Sequence, residues 1–277
     1  MTRKAPNRIS FFVFNTFLHL PPHNLQITFL GTGTSSGVPM IGCGCEVCTS
    51  TNPKDKRLRS SILIESDNTT IVVDAGPDFR QQMLLHNVKK LDAIIFTHSH
   101  KDHIAGLDDV RAYNYFQKKP MQVYGTAFTL KRITEEFNYA FAEDKYPGIP
   151  SIQLNVINKE PFVVGDVKVI SIPVWHFQMP VMGYRFENFT YITDANRIEP
   201  SSQEKIKGSD VLVLNALRHQ KHISHFTLPE AVAIADELDI PVAYFTHISH
   251  QLGLHYTVND QLPAKRQLAY DGLKIIL

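Results

Sequence analysis

Six consecutive residues carry the densest chemistry in this 277-residue chain: His98-Ser99-His100-Lys101-Asp102-His103 holds three imidazoles and one carboxylate. Imidazole nitrogen and carboxylate oxygen suit zinc, manganese or iron. The segment directly follows the apolar run Leu91–Thr97, which reads as a buried strand, so the six residues leave a strand end as a loop. Alternate residues of an extended chain share a side. His98 and His100 therefore aim at one point, and Asp102 and His103 can reach a second, so this segment alone begins two adjacent metal sites. The chain has 13 histidines, an excess that must include ordinary ones; His86, His219, His222 and His255 read that way.

Cys43, Cys45 and Cys48 are the three cysteines of the chain, packed into six residues. An odd, clustered set is a poor disulfide framework and a good metal half-site. Thiolates at this spacing suit zinc, and a closed tetrahedral site needs a fourth ligand. The set also argues for a reducing compartment, so a cytoplasmic location is expected. Just upstream, Gly31-Thr32-Gly33-Thr34-Ser35-Ser36-Gly37 lacks the Lys-Ser/Thr ending of a nucleotide P-loop. Its glycines are expected to let backbone approach the metal centre.

These loops need strands and helices to position them. Leu25–Leu30 reads as a buried strand. Ser61–Glu65 and Thr70–Asp74 form a hairpin around Asp67-Asn68. Strand-like runs recur at Ile152–Val156, Val167–Ile172, Val181–Phe186, Phe189–Thr193, Val211–Leu214 and Val242–Thr246. Helices are expected at Phe79–His86, Asp108–Gln117, Thr126–Tyr139 and Leu228–Leu238, the last with Thr227 and Glu230 at capping-box spacing. Asn138–Ser151, aromatic and turn-rich, reads as a surface loop long enough to cover a site. Strands in two batches with helices beside them suggest two sheets sandwiched between helices.

Hydrophobic residues at 43% and charged residues at 20% allow one ordinary globular core. The net charge of +1 argues against broad electrostatic capture of nucleic acid. Arg3, Lys4 and Arg8 precede an apolar run, Ile9–Leu20, which resembles a signal peptide. Asn15, Thr16 and His19 interrupt that run, no small-residue cleavage site follows, and it is too short to span a bilayer. Residues 1–24 are therefore expected to be an appended or wrongly assigned N-terminus, partly ordered at best, and 25–277 the folded domain, with no membrane association.

The motif His98-x-His100-x-Asp102-His103 resembles the signature of metallo-β-lactamase-fold hydrolases. That resemblance implies an α/β fold, a four-layer αββα sandwich, with later ligands arriving singly near strand ends. His176, Asp194 and His247 occupy such positions. By the same resemblance, His98, His100 and His176 hold one divalent metal (zinc or manganese), Asp102, His103 and His247 hold the other, and Asp194 bridges them. Gly31-x-Gly33…Gly37-Val38-Pro39…Cys43-x-Cys45-x-x-Cys48 is similar to the phosphoribosyl 1,2-cyclic phosphate phosphodiesterases of phosphonate breakdown, a match that makes His250 the fourth ligand of a structural zinc. Thioesterases of the superfamily usually show Thr-Pro-Gly-His at the third ligand site, whereas this chain has Trp175-His176-Phe177.

The function implied is a binuclear phosphodiesterase acting on a small, in one form cyclic, phosphodiester through a metal-bridging hydroxide. Asp102 and His225 are the expected catalytic residues, His225 as general acid because Ser224-His225-Phe226-Thr227 resembles the family segment that carries one. Arg111 resembles a recurring family position that could grip phosphate bidentately, and a surface ion pair accounts for it equally well. The resemblance leaves room for a homodimer. The rival enzyme is a tRNA 3′-processing endoribonuclease. Against it, residues Thr126 to Asp166 hold four Lys/Arg and six Asp/Glu, so no basic arm for tRNA is visible. A rival of another class is a non-catalytic metal- or nucleic-acid-binding protein on the same fold, which would be marked by lost ligands; all seven positions are filled.

Overall fold

The computed structural model describes residues 24–143 and 148–277. Nearly all of the expected extension at 1–24 lies outside the described residues. Two seven-stranded mixed sheets form the centre. The first contains β1 (Gln26–Gly31), β2 (Ser61–Glu65), β3 (Thr70–Val73), β4 (Ala93–Ile95), β5 (Met121–Gly125) and β6 (Ile152–Val156). The second contains β7 (Phe162–Val164), β8 (Val167–His176), β9 (Met179–Phe186), β10 (Phe189–Ile192), β11 (Val211–Asn215), β12 (Val242–Thr246) and β13 (Arg266–Leu268). The C-terminal β14 (Lys274–Ile276) returns to pair antiparallel with β1.

The two-residue period of a strand explains the layers. Ile27, Ile62, Ile64, Ile71, Val73 and Ile95 face inward and pack on Val169, Tyr184, Phe186, Tyr191 and Val213 of the second sheet. Their alternates Leu63, Val72 and Ile94 face outward onto Phe79, Met83, Leu107 and Ile133. Leu212, Leu214, Ala243 and Phe245 of the second sheet likewise meet Leu228, Ala231 and Ala235 of a helix. The result is the expected αββα order. β3 to β6 and β10 to β13 run parallel, and the unbroken apolar runs Ile71–Val73, Ala93–Ile95 and Val211–Leu214 follow from burial on both faces. Among the described residues no helix is long and apolar enough to cross a membrane.

Boundaries shifted where tertiary pairing overrode local signals. The strand expected at Val167–Ile172 continues to His176, because every residue from Val169 to His176 pairs with β9. Pro173 is tolerated inside it opposite Met182, whose N–H donates instead to Thr97 O at 3.0 Å and ties the two sheets together. The helix expected at Asp108–Gln117 begins as a 3₁₀ turn at Leu107–Val110 and becomes α-helical over Arg111–Gln117. The loop expected at Asn138–Ser151 opens with a short helix, Asn138–Phe141, pinned by buried Ala140; residues 144–147 lie outside the described set. At Leu228–Glu237 the capping box forms as its spacing predicts, with Thr227 and Glu230 bonding reciprocally.

Candidate metal centre

The candidate ligands gather beyond the carboxyl ends of parallel strands, the usual place for ligands in such sheets. β4 delivers His98, β10 delivers Asp194 and β12 delivers His247, while β8 ends on His176. Asp194 and His247 leave their strands with φ of +55° and +56°. Asp74, after β3, has φ +65°. Non-glycine residues rarely adopt this region, and strain of about 1–3 kcal/mol each is tolerated mainly where side-chain direction matters.

Asp194 is the hub. Its carboxylate lies 2.9 Å from His247 Nδ1, 3.4 Å from His103 Nε2, 3.8 Å from His98 Nε2 and 3.5 Å from His225 Nε2. Three donor sets converge on it, each with ligand atoms within 4.8 Å of one another: Asp102, His103 and His247; His98 and His100; His176 and His225. His176 also stands 5.1 Å from His100 ring to ring. The structure thus brings together all seven predicted ligand positions and His225.

The donor chemistry fits cations. Nε2 of His98, His103 and His225 is buried without a hydrogen-bond partner among the described residues, an unusual state for a polar atom. Burial works against the Asp194 carboxyl ionising, yet the imidazoles of His247 and His103 hold it well below the usual carboxylate range. Burial likewise opposes the charge on Asp102, and His103 overcomes it. For His98, burial is the main cause of a strong downward shift, which keeps the ring neutral and able to ligate. His176 is pushed down to about 4 by burial. Its Nδ1 is fixed by the Ser224 carbonyl at 2.9 Å, leaving Nε2 for the cluster.

Sequence reasoning missed Asp74. It is fully buried, accepts from Thr97 N–H and hydroxyl at 2.8 Å, and meets His103 Nδ1 at 2.8 Å. This carboxylate orients His103 and raises its basicity, the common support for a metal-ligating imidazole. The available signal was a lone Asp closing the apolar run Ile71–Val73. Gly76 explains how the segments close up: a Cβ there would sit 2.0 Å from Asp102 O. His222, read from sequence as ordinary, places Nδ1 3.3 Å from His225 Nδ1. Arg111, about half exposed, pairs with Asp108.

The second candidate site joins distant loops. His250 Nδ1 lies 3.3 Å from Cys45 Sγ and 3.5 Å from Cys43 Sγ, and Cys48 completes a tetrad within 4.8 Å. His250 lowers the Cys45 thiol to about 6, and burial pushes Cys48 up to about 11, so a divalent cation would replace the Cys48 proton. Cys45→Ser is expected to lose one tightly held zinc per chain while the histidine cluster keeps its metals. Elemental analysis after exhaustive dialysis checks this, and unchanged zinc content would overturn it.

The glycine loop reaches the cluster and is braced beside it: Thr34 Oγ1 lies 3.2 Å from His247 Nε2, and Thr34 N–H donates to Ile248 O at 3.1 Å. A Cβ at Gly31 would meet Arg59 O at 2.0 Å, so the loop packs on the Arg57–Arg59 backbone, and Gly33 bridges to both Arg59 and Ile248. Buried Arg57 donates to Thr32 Oγ1, Ala269 O and His255 Nδ1 at 2.8, 2.6 and 3.1 Å. Burial and Arg57 push His255 down to about 4, so the ring is neutral and accepts from the guanidinium. Thr32 also donates to Asp271 at 2.7 Å. Arg57→Ala is expected to cost about 3–5 kcal/mol by leaving these groups unpaired. A urea midpoint equal to wild type would show that the network contributes nothing.

Comparison with known proteins follows from this geometry. The model of the β-lactamase superfamily domain matches residues 69–248, a span that includes both the histidine motif and His247. A solved structure described as a new diphosphatase from the PhnP family is 41% identical, superposes with TM-score 0.86, and covers 92% of this chain and 97% of its own. An octanoyltransferase of Porphyromonas gingivalis is 36% identical over 256 residues, 91% of this chain but 52% of that protein. A ribonuclease Z of Methanococcus maripaludis is 29% identical over 168 residues, 59% of this chain and 49% of that one. The chain therefore spans about half the length of these two curated relatives. With two sheets closing over a histidine and carboxylate cluster, and with the family model matching well over half its length, the chain belongs to the β-lactamase superfamily, in the metallo-β-lactamase fold.

Proposed function

We propose that this chain is a metal-dependent phosphodiesterase holding two divalent cations, zinc or manganese, in the histidine cluster and one zinc in the cysteine tetrad. The observation that carries the reading is the convergence of His98, His100, Asp102, His103, His176 and His247 on one shared carboxylate, Asp194. In this reading His98, His100 and His176 would hold one cation and Asp102, His103 and His247 the other, with Asp194 serving both sets. Such a pair supplies Lewis acidity for phosphate oxygens and lowers the pKa of water toward neutrality.

The chain's own residues do the rest. Asp74 and the Ser224 carbonyl fix the rings of His103 and His176, so little reorganisation is left for the reaction. His225 reaches the cluster through Nε2, while its Nδ1 lies 3.0 Å from Ser224 Oγ. From there it holds the proton that a leaving alkoxide needs. Arg111, occupied by Asp108, is not assigned a phosphate-binding role.

The substrate is a small phosphodiester. A second reading, cleavage of a diphosphate, is favoured by the 41% identity to a protein described as a diphosphatase, and it uses the same site. A tRNA-processing role draws on the ribonuclease Z likeness but lacks a basic arm in this sequence. Octanoyl transfer is not proposed, since half of the protein so named has no counterpart here. Assays with bis-p-nitrophenyl phosphate, a dinucleoside diphosphate and a precursor tRNA, each with added manganese or zinc, separate these readings. Absence of metal-dependent turnover on all three would favour a non-catalytic binding protein.

A further inference from the structure

Beside the cluster lies an open cavity of about 510 Å³ with His100 and His176 on its floor. The rest of its lining combines the apolar side chains of Phe177, 47% exposed, Ile223, 66% exposed, and Met179 with the polar Gln178 and Ser224.

Folding alone does not account for Phe177. It occupies the two-residue turn between His176 and Met179, which pair with each other. Its φ is +56°, a conformation that glycine and asparagine adopt at least cost. A bulky ring here strains the backbone and leaves half its surface in water. That combination points to a side chain whose gain is realised on binding.

The two walls are also held in register. Asn196 accepts from Phe177 N–H at 2.8 Å and donates through Nδ2 to Ile223 O at 2.9 Å. One amide thus spaces both wall residues. Asn196 is itself anchored, since its N–H donates to Trp175 O at 2.9 Å while Arg197 stacks on the Trp175 ring at 4.8 Å.

We infer that Phe177 and Ile223 form a clamp for a flat heteroaromatic ring carried by the substrate, a nucleobase whose phosphate reaches the histidine cluster. An aromatic and an aliphatic side chain lining one cavity, their backbones tied to the same amide, suit a planar ring between them, and the cavity meets the cluster at His100 and His176. This rests on the phosphodiesterase reading and narrows it to nucleotide-bearing substrates. The clamp selects; it takes no part in breaking the bond.

Binding to the metal-loaded protein tests the clamp without turnover. AMP and ribose 5-phosphate share sugar and phosphate and differ by the base. Isothermal calorimetry is expected to show AMP binding tighter by about tenfold or more, the scale of one base stacked on an aromatic ring. Phe177→Ala and Ile223→Ala should each erode that preference, and Phe177→Trp should keep it. Phe177→Gly, which suits the backbone at φ +56°, removes the ring while relieving strain and should abolish the preference in a folded protein. Equal affinity for AMP and ribose 5-phosphate, no binding of AMP at millimolar concentration, or a preference that survives Phe177→Gly would each overturn the clamp. A base preference without phosphodiester turnover would uphold the clamp and overturn the catalytic reading.

Discussion

Asp194→Asn is expected to strip the histidine cluster of metal and abolish turnover, while one zinc per chain stays in the cysteine tetrad. The change is isosteric, so shape is kept and charge is removed. Asp194 belongs to all three converging donor sets, and its two oxygens lie near His247, His103, His98 and His225. Loss of a supporting partner alone typically costs about ten- to a hundredfold in metal affinity. Taking a shared donor from two positions at once then costs on the order of 10²–10⁴ across the pair. Asp74→Asn makes a graded comparison: of the candidate ligands it touches His103 through Nδ1, so about ten- to a hundredfold in affinity is expected at one position. Elemental analysis after dialysis against weak chelator reads both results. Full cluster metal in Asp194→Asn would show that this carboxylate is not shared.

His225→Ala is expected to lower kcat by about 10²–10⁴ on a substrate with an alkoxide leaving group, with cluster metals retained. p-Nitrophenolate departs without a proton, so turnover of bis-p-nitrophenyl phosphate should fall far less. The geometry makes this test pointed. His225 Nε2 is buried near Asp194 and groups with His176 as a potential ligand, so the ring could hold a metal or a proton. Retained metal together with a leaving-group-dependent loss identifies the acid. Metal loss in His225→Ala would make it a ligand, and an equal loss on both substrates would remove the acid role. His222, whose Nδ1 is 3.3 Å from that of His225, bears on the tautomer of that ring.

Several elements were legible because their causes are local. The strand before His98 is an unbroken apolar run, and so is the core of the hairpin that precedes it. Thr227 and Glu230 announced the helix that follows them, since a capping box needs only four residues. Other elements were not legible. The edge strands β7, β13 and β14 are three residues each, and pairing with a neighbour, rather than any pattern of their own, makes them strands. The extension of β8 through Pro173 likewise depends on β9.

At the candidate site the same division holds. Residue types and spacing at 98–103 and 43–48 by themselves determined that this chain can hold cations, because ligand chemistry resides in side chains close in sequence. The family resemblance already set Asp194 between the two ligand groups; only the tertiary structure decided that Asp74 stands behind His103 and that Arg111 pairs with Asp108. Those relations span 29 residues for Asp74 and His103. For Cys45 and His250 the separation is 205 residues. They arise when parallel strands deliver their carboxyl ends to one edge of the sandwich, and residue spacing carries no measure of that convergence.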